Sequence, residues 1–194
     1  MKSNILLLSA TELEHSRKSI GGFPIHITGV GKISSTLRTT ELIQEYKPSL
    51  VINFGSCGNL KNHKVGELLQ IGVVHNDIDT RPFGRYGQTP FTRLNEIQLD
   101  TYSHIECFTT DIIYDTGRSD YTIKYQEMIQ KCDVVDMELY GIAQVCKHYS
   151  TPLLSFKWVS DDGETDKWEE NASLGFSEFE KYFNQKFGKS INKS

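Results

Sequence analysis

Short runs of hydrophobic residues alternate with segments of helical periodicity along most of the chain. These runs predict strands at Asn4–Ser9, Pro24–Thr28, Ser49–Phe54, Leu68–His75, His104–Phe108, Val134–Met137 and Leu153–Val159. Several are continuous Val, Ile and Leu runs rather than alternations, which is typical of strands covered on both faces. Strands that alternate with helices predict an α/β fold whose sheet is joined by crossover connections.

Three segments between and after these runs have the periodicity of helices. Ile33–Tyr46 carries apolar residues close to one face, at Ile33, Leu37, Ile43 and Tyr46. Leu139–Tyr149 forms a second predicted helix, with Pro152 just beyond its end. The last segment has an aromatic stripe at Trp168, Ala172, Phe176, Phe179, Phe183 and Phe187. Such a stripe is more typical of a helix packed on the core than of a binding face.

One segment between the predicted strands lacks a clear period. The stretch Asp79–Phe91 is rich in proline, glycine and aromatic residues, which predicts an ordered loop near a pocket or a subunit interface. No repeat or domain boundary is visible, so we expect one domain over residues 1–188 and a frayed tail at residues 189–194. The apolar run at the start breaks at Ser9, which is too short for a signal peptide.

Charge and cysteine content narrow the function classes. The chain has 194 residues, and 21 basic against 25 acidic residues give a net charge of −4. This balance argues against a partner such as duplex DNA or an anionic membrane, because both require a basic face. The four cysteines include no CxxC pair, so we expect free thiols, no metal site and a reducing, cytoplasmic compartment.

Two glycine-rich turns follow predicted strands. Gly29-Val30-Gly31-Lys32 opens the first helix, and either a structural turn or an anion site at the helix start explains it. Gly55-Ser56-Cys57-Gly58 ends a buried strand, where ligands of open α/β sheets bind. Gly58 comes one residue too early for a hydrolase nucleophile elbow, so we expect Ser56 to hydrogen-bond rather than attack.

Two pairs of acidic residues occur where strands end. Asp136 and Glu138 lie at the start of the second helix, where they either face a ligand or simply complement the helix dipole. Asp161 and Asp162 follow the last apolar strand. A carboxyl beside a second acid can have a raised pKa suited to a general acid, although an acidic turn is an equally good interpretation.

The order of these fragments resembles the nucleoside phosphorylase/nucleosidase superfamily. The fragments are SATELE, GVGK, NFGSCG, DME and SD, from residue 9 to residue 162, and the most similar branch is that of 5′-methylthioadenosine/S-adenosylhomocysteine nucleosidases. The resemblance implies a twisted mixed central sheet flanked by helices and, for this branch, a homodimer. It also implies cleavage of a purine ribosyl bond without a metal or organic cofactor.

The resemblance assigns roles to individual residues. Asp161 matches the acid that protonates N7 of the purine, and Ser56 and Ser160 match groups that orient this acid. Glu14 is the best match for the carboxylate that positions the attacking water, and Glu12 is the weaker candidate.

The remaining matches concern ribose and base. Met137 and Glu138 match the ribose contacts, and Ile113 and Tyr114 occupy the purine-contacting positions. The glycine and phenylalanine of the family's base-binding segment are absent from residues 109–114, which read TTDIIY.

The chemistry of glycosidic cleavage favours these residue types independently. A protonated Asp161 would neutralise the leaving base, while ionised Glu138 and Glu14 would hold the ribose and the water, a division analogous to that in glycoside hydrolysis. Strand alternation places Lys157 on the same face as Asp161, so we also expect this cation to lower the pKa of Asp161.

Four alternative functions remain at this stage. A phosphorylase needs a phosphate site, and Asn53 stands where the resembling phosphorylases carry an arginine. A futalosine-type hydrolase shares the Thr-x-Leu-Glu start. A non-catalytic nucleoside-binding protein would not need Asp161. A dinucleotide-dependent reductase is the weakest alternative, because the GxGxxG fingerprint is incomplete.

Overall fold

The computed structural model of the chain describes residues 4–90 and 96–188. The strands are β1 (Ile5–Ser9), β2 (Ser19–Ile20), β3 (Phe23–Ile27), β4 (Leu50–Asn59), β5 (Leu68–Asn76), β6 (Glu96–Gln98), β7 (Ile105–Thr109), β8 (Val134–Asp136) and β9 (Leu153–Asp161). The helices are α1 (Lys32–Tyr46), α2 (Ile123–Lys131), α3 (Leu139–His148), α4 (Thr165–Asn171) and α5 (Phe176–Phe187). This element order confirms the predicted α/β class.

The strands form one mixed sheet whose middle closes on itself. The order is β2-β3-β1-β4-β8-β7-β5-β6, and β9 pairs with both β4 and β5. Strands β4, β9, β5, β7 and β8 therefore form a closed ring, with parallel and antiparallel pairs in it. The predicted mixed central sheet flanked by helices is confirmed, with this ring as its most curved part.

Helices cover both faces of the sheet and create two cores. Side chains alternate across β1, so that Leu6 and Leu8 contribute to one core and Ile5 and Leu7 to the other. Helices α1 and α3 complete the first core, and the aromatic face of α5 completes the second. Because strands near the centre are covered on both sides, they show the continuous apolar runs seen in the sequence.

All seven predicted strands are present, and three are longer than predicted, β5 by one residue. Strand β4 continues through Gly55 to Asn59, and β9 continues to Asp161. The register between them shifts after Cys57, so that Gly58 faces Asp161. This irregularity brings the two candidate motifs together at one end of the sheet.

The elements that the sequence did not predict are short or polar. Strand β2 has two residues and β6 has three, too few for a periodic pattern. Helix α2 buries Tyr125 and otherwise presents mostly polar or exposed side chains. None of the three therefore has a hydrophobic repeat long enough to detect.

Helix α1 is present, but its apolar face is buried only in part. Ile33 is 76% exposed and Leu37 is 63% exposed. The residues that α1 buries are Ser35, Thr39, Leu42 and Ile43. Small hydroxyl side chains allow α1 to approach α3 closely, where a Cβ on Gly141 would lie 2.6 Å from Thr36 Oγ1.

The aromatic stripe near the end of the chain spans two helices rather than one. Phe176, Phe179 and Phe183 are buried against β4 and β9, which confirms the core interpretation for them. A turn separates α4 from α5, and Gly175 in it lies against the Trp158 ring, where a Cβ would be 2.3 Å from Cγ. Trp168, at the start of the stripe, has a different environment.

The loop predicted at Asp79–Phe91 is ordered as far as it is described. Thr80 Oγ1 donates to Gln88 O at 2.8 Å, and Gly87 N donates to Ile78 O at the same distance. Tyr86 packs beside Phe108 in a third apolar cluster. Phe91 and the tail predicted at residues 189–194 lie outside the described residues.

The cysteines are unpaired, as their spacing in the sequence predicted. All four cysteines are buried free thiols. Among the described residues, no helix is both long and apolar enough to cross a membrane.

Candidate active site

A cavity of about 340 Å³ opens at the carboxyl ends of β1, β4 and β9, beside β8. Its lining residues are Ala10, Thr11, Glu14, Val30, Ser56, Cys57, Gly58, Ile112, Ile113, Tyr114, Val135, Asp136, Met137, Glu138, Asp161 and Trp168. Every site residue predicted from the sequence lines this cavity except Ser160, which lies behind Asp161. Residues from distant parts of the chain thus meet in one site.

Glu14 is buried beneath the cavity, and four donors converge on its carboxylate. Ser9 Oγ and Ala10 N donate to Oε2 at 2.7 and 3.0 Å. Ser56 N and Ser56 Oγ donate to Oε1 at 2.7 and 2.9 Å. Gly55 makes room for this carboxylate, because a Cβ there would lie 2.6 Å from Oε1. The arrangement fixes the carboxylate of Glu14 in one orientation.

A short 3-10 turn, Glu12–Glu14, distinguishes the two glutamates of the SATELE segment. Thr11 Oγ1 accepts from Leu13 N at 3.3 Å and caps this turn. The turn directs Glu14 inward, whereas Glu12 is exposed. Glu14 is therefore the glutamate that lines the cavity.

Asp161 also lines the cavity, in surroundings that favour its neutral form. Burial raises the pKa of its carboxyl above the ordinary value, and the adjacent Asp162 acts in the same direction. Ser160 Oγ donates to Oδ2 at 2.6 Å and Gly163 N donates to Oδ1 at 2.9 Å, which oppose the rise only in part. The expected orienting contact from Ser160 is present.

The expectation that Lys157 lowers the pKa of Asp161 is wrong. The Lys157 ammonium is fully buried, 2.8 Å from Asp136 Oδ2. Burial alone would lower the pKa of Lys157, but the carboxylates of Asp136, Glu138 and Glu14 outweigh it and raise that pKa. Lys157 therefore interacts with these three carboxylates and not with Asp161.

Asp136 and Glu138 have different roles although both precede α3. Asp136 Oδ2 accepts from Leu139 N at 3.0 Å, and Oδ1 accepts from Thr109 Oγ1 at 2.6 Å. For Asp136 the helix-start interpretation is therefore confirmed. Glu138 faces the cavity, and burial together with the charge of Asp136 raises its pKa to about 7.

The glycine turn before α1 contacts protein groups. Gly31 N donates to Glu138 Oε1 at 3.0 Å, and Lys32 N donates to Asp111 Oδ1 at 3.0 Å. The φ of Gly31 is 91°, a conformation that favours glycine. The turn therefore has the structural role that was one of its two interpretations. It also orients Glu138, which lines the cavity.

Ile113, Tyr114 and Met137 supply the apolar walls. Ile113 is 58% exposed at the rim, and Met137 is half-buried next to Glu138. The Tyr114 ring stacks on Tyr121 with centroids 6.3 Å apart, and burial raises the pKa of its hydroxyl. These side chains line the cavity together with Asp161 and Glu138.

Ser56 contacts Glu14 and Trp168 in the structure rather than Asp161. Its hydroxyl donates to Glu14 Oε1 and accepts from Trp168 Nε1 at 3.0 Å. Sequence reasoning assigned Trp168 to the core-packing stripe and missed it as a lining residue. Trp168 has the same spacing as the core residues of the stripe, so the hydrophobic pattern alone does not distinguish it from them.

Asn53 lies in the sheet, away from the cavity. It is 1% exposed, accepts from Ser155 Oγ at 3.1 Å and donates to Leu8 O at 3.4 Å. Its amide therefore joins neighbouring strands and does not reach a ligand.

Comparisons with known proteins agree with this geometry. The family model described as "Phosphorylase superfamily" matches residues 20–124. A 5′-methylthioadenosine/S-adenosylhomocysteine nucleosidase of Buchnera aphidicola is 32% identical over 183 residues, which cover 84% of this chain and 77% of that protein.

Two solved structures show the same fold. The nucleosidase of that type from Colwellia psychrerythraea, in complex with adenine, has a TM-score of 0.77 at 19% identity, covering 96% of this chain and 95% of the other. Futalosine hydrolase of Helicobacter pylori has a TM-score of 0.74 at 19% identity, with 96% of each chain covered.

Proposed function

This chain belongs to the phosphorylase superfamily and, within it, to the 5′-methylthioadenosine/S-adenosylhomocysteine nucleosidase family, and from that premise we propose that it hydrolyses the N-glycosidic bond of an adenine-type nucleoside such as 5′-methylthioadenosine or S-adenosylhomocysteine. One observation carries the proposal. Asp161 and Glu14 line the same cavity, the first in surroundings that favour a neutral acid and the second among four hydrogen-bond donors.

Asp161 is the proposed general acid. Cleavage leaves negative charge on the base, so the acid must still hold a proton when the substrate binds. Burial at the end of β9 raises the pKa of Asp161, which serves this requirement. Tyr114 and Ile113 line the cavity near Asp161 and are proposed to contact the base.

Glu14 is the proposed group that positions the attacking water. Its four donors fix a carboxylate whose remaining acceptor positions can orient one water toward the sugar carbon. Positive charge develops on the sugar in the transition state, and the negative Glu14 stabilises it. Ser56 holds Glu14 in this role and is held in turn by Trp168.

Glu138 and Met137 are proposed to bind the ribose. An ionised Glu138 accepts hydrogen bonds from sugar hydroxyls, while Gly31 N–H fixes its other side. Because the pKa of Glu138 is about 7, its ionised form is substantially populated near neutral pH. Met137 packs beside it as the apolar contact.

Water rather than phosphate is the proposed acceptor. The residues that line the cavity, in the described part of the chain, include no lysine, arginine or histidine. Lys157 does not line the cavity and is buried and paired with Asp136. A phosphate dianion beside the ribose would meet Glu14 and Glu138 without a compensating charge, which is unfavourable at low dielectric.

Futalosine is a second candidate substrate, because the hydrolase acting on it has the same fold. The two activities share the acid, the water-positioning carboxylate and the ribose contact. They differ in the group that the rim near Ile113 and Trp168 must accept. Substrate competition therefore separates them.

We also propose a homodimer. Val30, Ile112 and Ile113 are exposed at the cavity rim, and Ile33 and Leu37 continue this apolar surface along α1. Exposed apolar patches of this kind are typical of protein interfaces. A dimer formed here would bury the surface and bring the partner subunit close to the rim.

The remaining proposals concern extent and location. We place the domain at residues 1–188 with a tail at 189–194, and the protein in the cytoplasm, where its buried thiols stay reduced. No nucleic-acid or membrane partner is proposed, because the net charge is −4. The reaction requires no metal or organic cofactor.

A nucleoside panel with two neighbouring glutamate variants tests the proposal. The wild-type chain is incubated with 5′-methylthioadenosine, S-adenosylhomocysteine, futalosine and adenosine, and the free base is quantified. We expect release from at least one 5′-thio nucleoside, loss of roughly 10²–10⁴ in kcat for Glu14→Gln, and little change for the exposed Glu12→Gln. Release from none of the four substrates would contradict the proposal.

A further inference from the structure

Three side chains of metal-binding type meet outside the active-site cavity. His75 lies in β5, Glu106 in β7 and Cys132 directly after α2. Their ligating atoms all lie within 4.8 Å of one another. His75 and Cys132 are buried, and none of the three lines the cavity. The cluster is therefore independent of the proposed hydrolysis.

The Cys132 thiol differs from the other thiols near the ring of strands. Cys57 Sγ donates to Trp158 O and Cys107 Sγ donates to Asp136 Oδ1. Cys132 is equally buried, but within the described residues its sulfur has no hydrogen-bond partner. An unpartnered sulfur beside an imidazole and a carboxylate is available as a ligand.

Glu96 supports His75 from behind. His75 Nε2 lies 2.7 Å from Glu106 Oε2, and its other nitrogen, Nδ1, lies 3.6 Å from Glu96 Oε2. Without a metal, His75 donates its Nε2 proton to Glu106, because a carboxylate only accepts. Metal binding requires this proton to move to Nδ1, facing Glu96, which frees the Nε2 lone pair as a ligand. A carboxylate behind the imidazole is the arrangement that orients metal-binding histidines.

We propose that His75, Glu106 and Cys132 bind a divalent transition-metal ion, with zinc as the best match and water as the fourth ligand. A mixed nitrogen, oxygen and sulfur donor set suits zinc. Zinc–ligand bonds of about 2.0–2.3 Å require the present donor separations to change by about 1 Å. Binding displaces the thiol proton of Cys132 to solvent.

Lys131 supplies the positive charge at this cluster in the metal-free protein. Its Nζ lies 3.5 Å from Glu96 Oε2 and 3.6 Å from Glu106 Oε2. The Lys131 side chain is 48% exposed, so it can turn to solvent when a cation enters. Lysine and metal therefore compete, and removal of the lysine charge must tighten metal binding.

Sequence spacing does not reveal this cluster. His75 and Cys132 are 57 positions apart and come from separate elements, so no short ligand motif exists. The pairing of β5 with β7, and the chain reversal after α2, bring them together. The expectation of no metal site rested on the absence of a CxxC pair, a criterion that applies only to ligands close in sequence.

Cobalt(II) is the probe for the site, because thiolate bound to cobalt gives a charge-transfer absorption. The full chain is titrated with Co²⁺ under reducing conditions, and Zn²⁺ is then added as competitor. We expect one equivalent of Co²⁺ with a thiolate band that Zn²⁺ abolishes. Cys132→Ala and His75→Gln should bind more than about 100-fold more weakly, whereas Cys146→Ala, a buried cysteine in α3, should bind normally.

Lys131→Gln gives an opposite and independent readout. It retains all proposed ligands and should bind Co²⁺ about three- to tenfold more tightly, because the competing cation is gone. No thiolate band in the wild-type chain at about 100 μM Co²⁺, or a band that survives Cys132→Ala, would overturn the proposal. Should Cys132→Ala not fold, unchanged affinity in both His75→Gln and Lys131→Gln would overturn it equally.

Discussion

Two carboxyl groups of the cavity differ because of their immediate surroundings. Glu14 receives hydrogen bonds from Ser9, Ala10 and Ser56, whereas Asp161 is buried beside Asp162. Their residue types alone do not assign the roles, because both are acids near strand ends. Both carboxyl groups are buried, so it is the donors that separate a proton donor from a fixed anion: four reach Glu14 and two reach Asp161.

Replacement of Asp161 tests the acid. Asp161→Asn keeps the shape and the contact with Gly163, but the amide cannot transfer a proton to the leaving base. We expect kcat to fall by roughly 10²–10⁴ with a smaller change in KM. The comparison variant is Asp162→Asn, whose side chain is exposed and bonded to Asn59. Asp162 is only a minor cause of the raised pKa of Asp161, so this variant should lower kcat much less. Near-normal turnover in Asp161→Asn would remove Asp161 from the mechanism.

The raised pKa of Glu138 predicts that the stability of the folded chain depends on pH. Its pKa is raised from 4.5 to about 7 in the folded chain, so folding favours the protonated form. This contribution is fully present below about pH 4.5 and is lost as the pH rises through 7. Glu138→Gln removes the ionisation and should therefore be more stable than wild type at pH 8, by up to about 3 kcal/mol, but not at pH 4. Ribose binding should weaken in the same variant.

Urea unfolding of wild type and Glu138→Gln at both pH values measures this difference. Glu12→Gln, an exposed glutamate, should show no such pH-dependent gain. An equal free-energy difference at pH 4 and pH 8 would mean that Glu138 titrates normally in the folded protein.

The elements show where sequence patterns succeed and where they do not. Every strand with a long apolar run was predicted, because burial on two faces leaves a strong signal. Two short strands and α2 were not, and the apolar residues of α1 coincide only in part with its buried ones. Thr39 and Ser35 are buried against α3, whereas Ile33 is exposed, an outcome that tertiary packing decides.

The exposed face of α1 gives a prediction about assembly. Leu37→Glu places a charge on the proposed interface and should convert the dimer to a monomer, because a buried unpaired carboxylate is costly. Ile123→Glu on α2, which is equally exposed, should remain dimeric. Light scattering at micromolar concentration compares the two. A wild-type chain that is itself monomeric would contradict the proposed dimer.

The site as a whole was more predictable than its details. Seven residues of the predicted set line one cavity because the ends of β1, β4 and β9 lie close together, which the order of the motifs already implied. Trp168 was not recognised, since its spacing continues a core stripe. The partner of Lys157 depended on side-chain packing, and the His75 cluster on pairing between distant elements. These contacts are non-local, and no periodic pattern records them.

The fate of the sugar tests the central claim most directly. The wild-type chain is incubated with the best nucleoside of the panel in excess phosphate, and the products are identified by phosphorus and proton NMR. With no cation in the described lining and with Glu14 in place to orient water, we predict free sugar and free base in equal amounts, at a rate independent of phosphate. Accumulation of a sugar 1-phosphate would show that phosphate is the acceptor and would contradict the account.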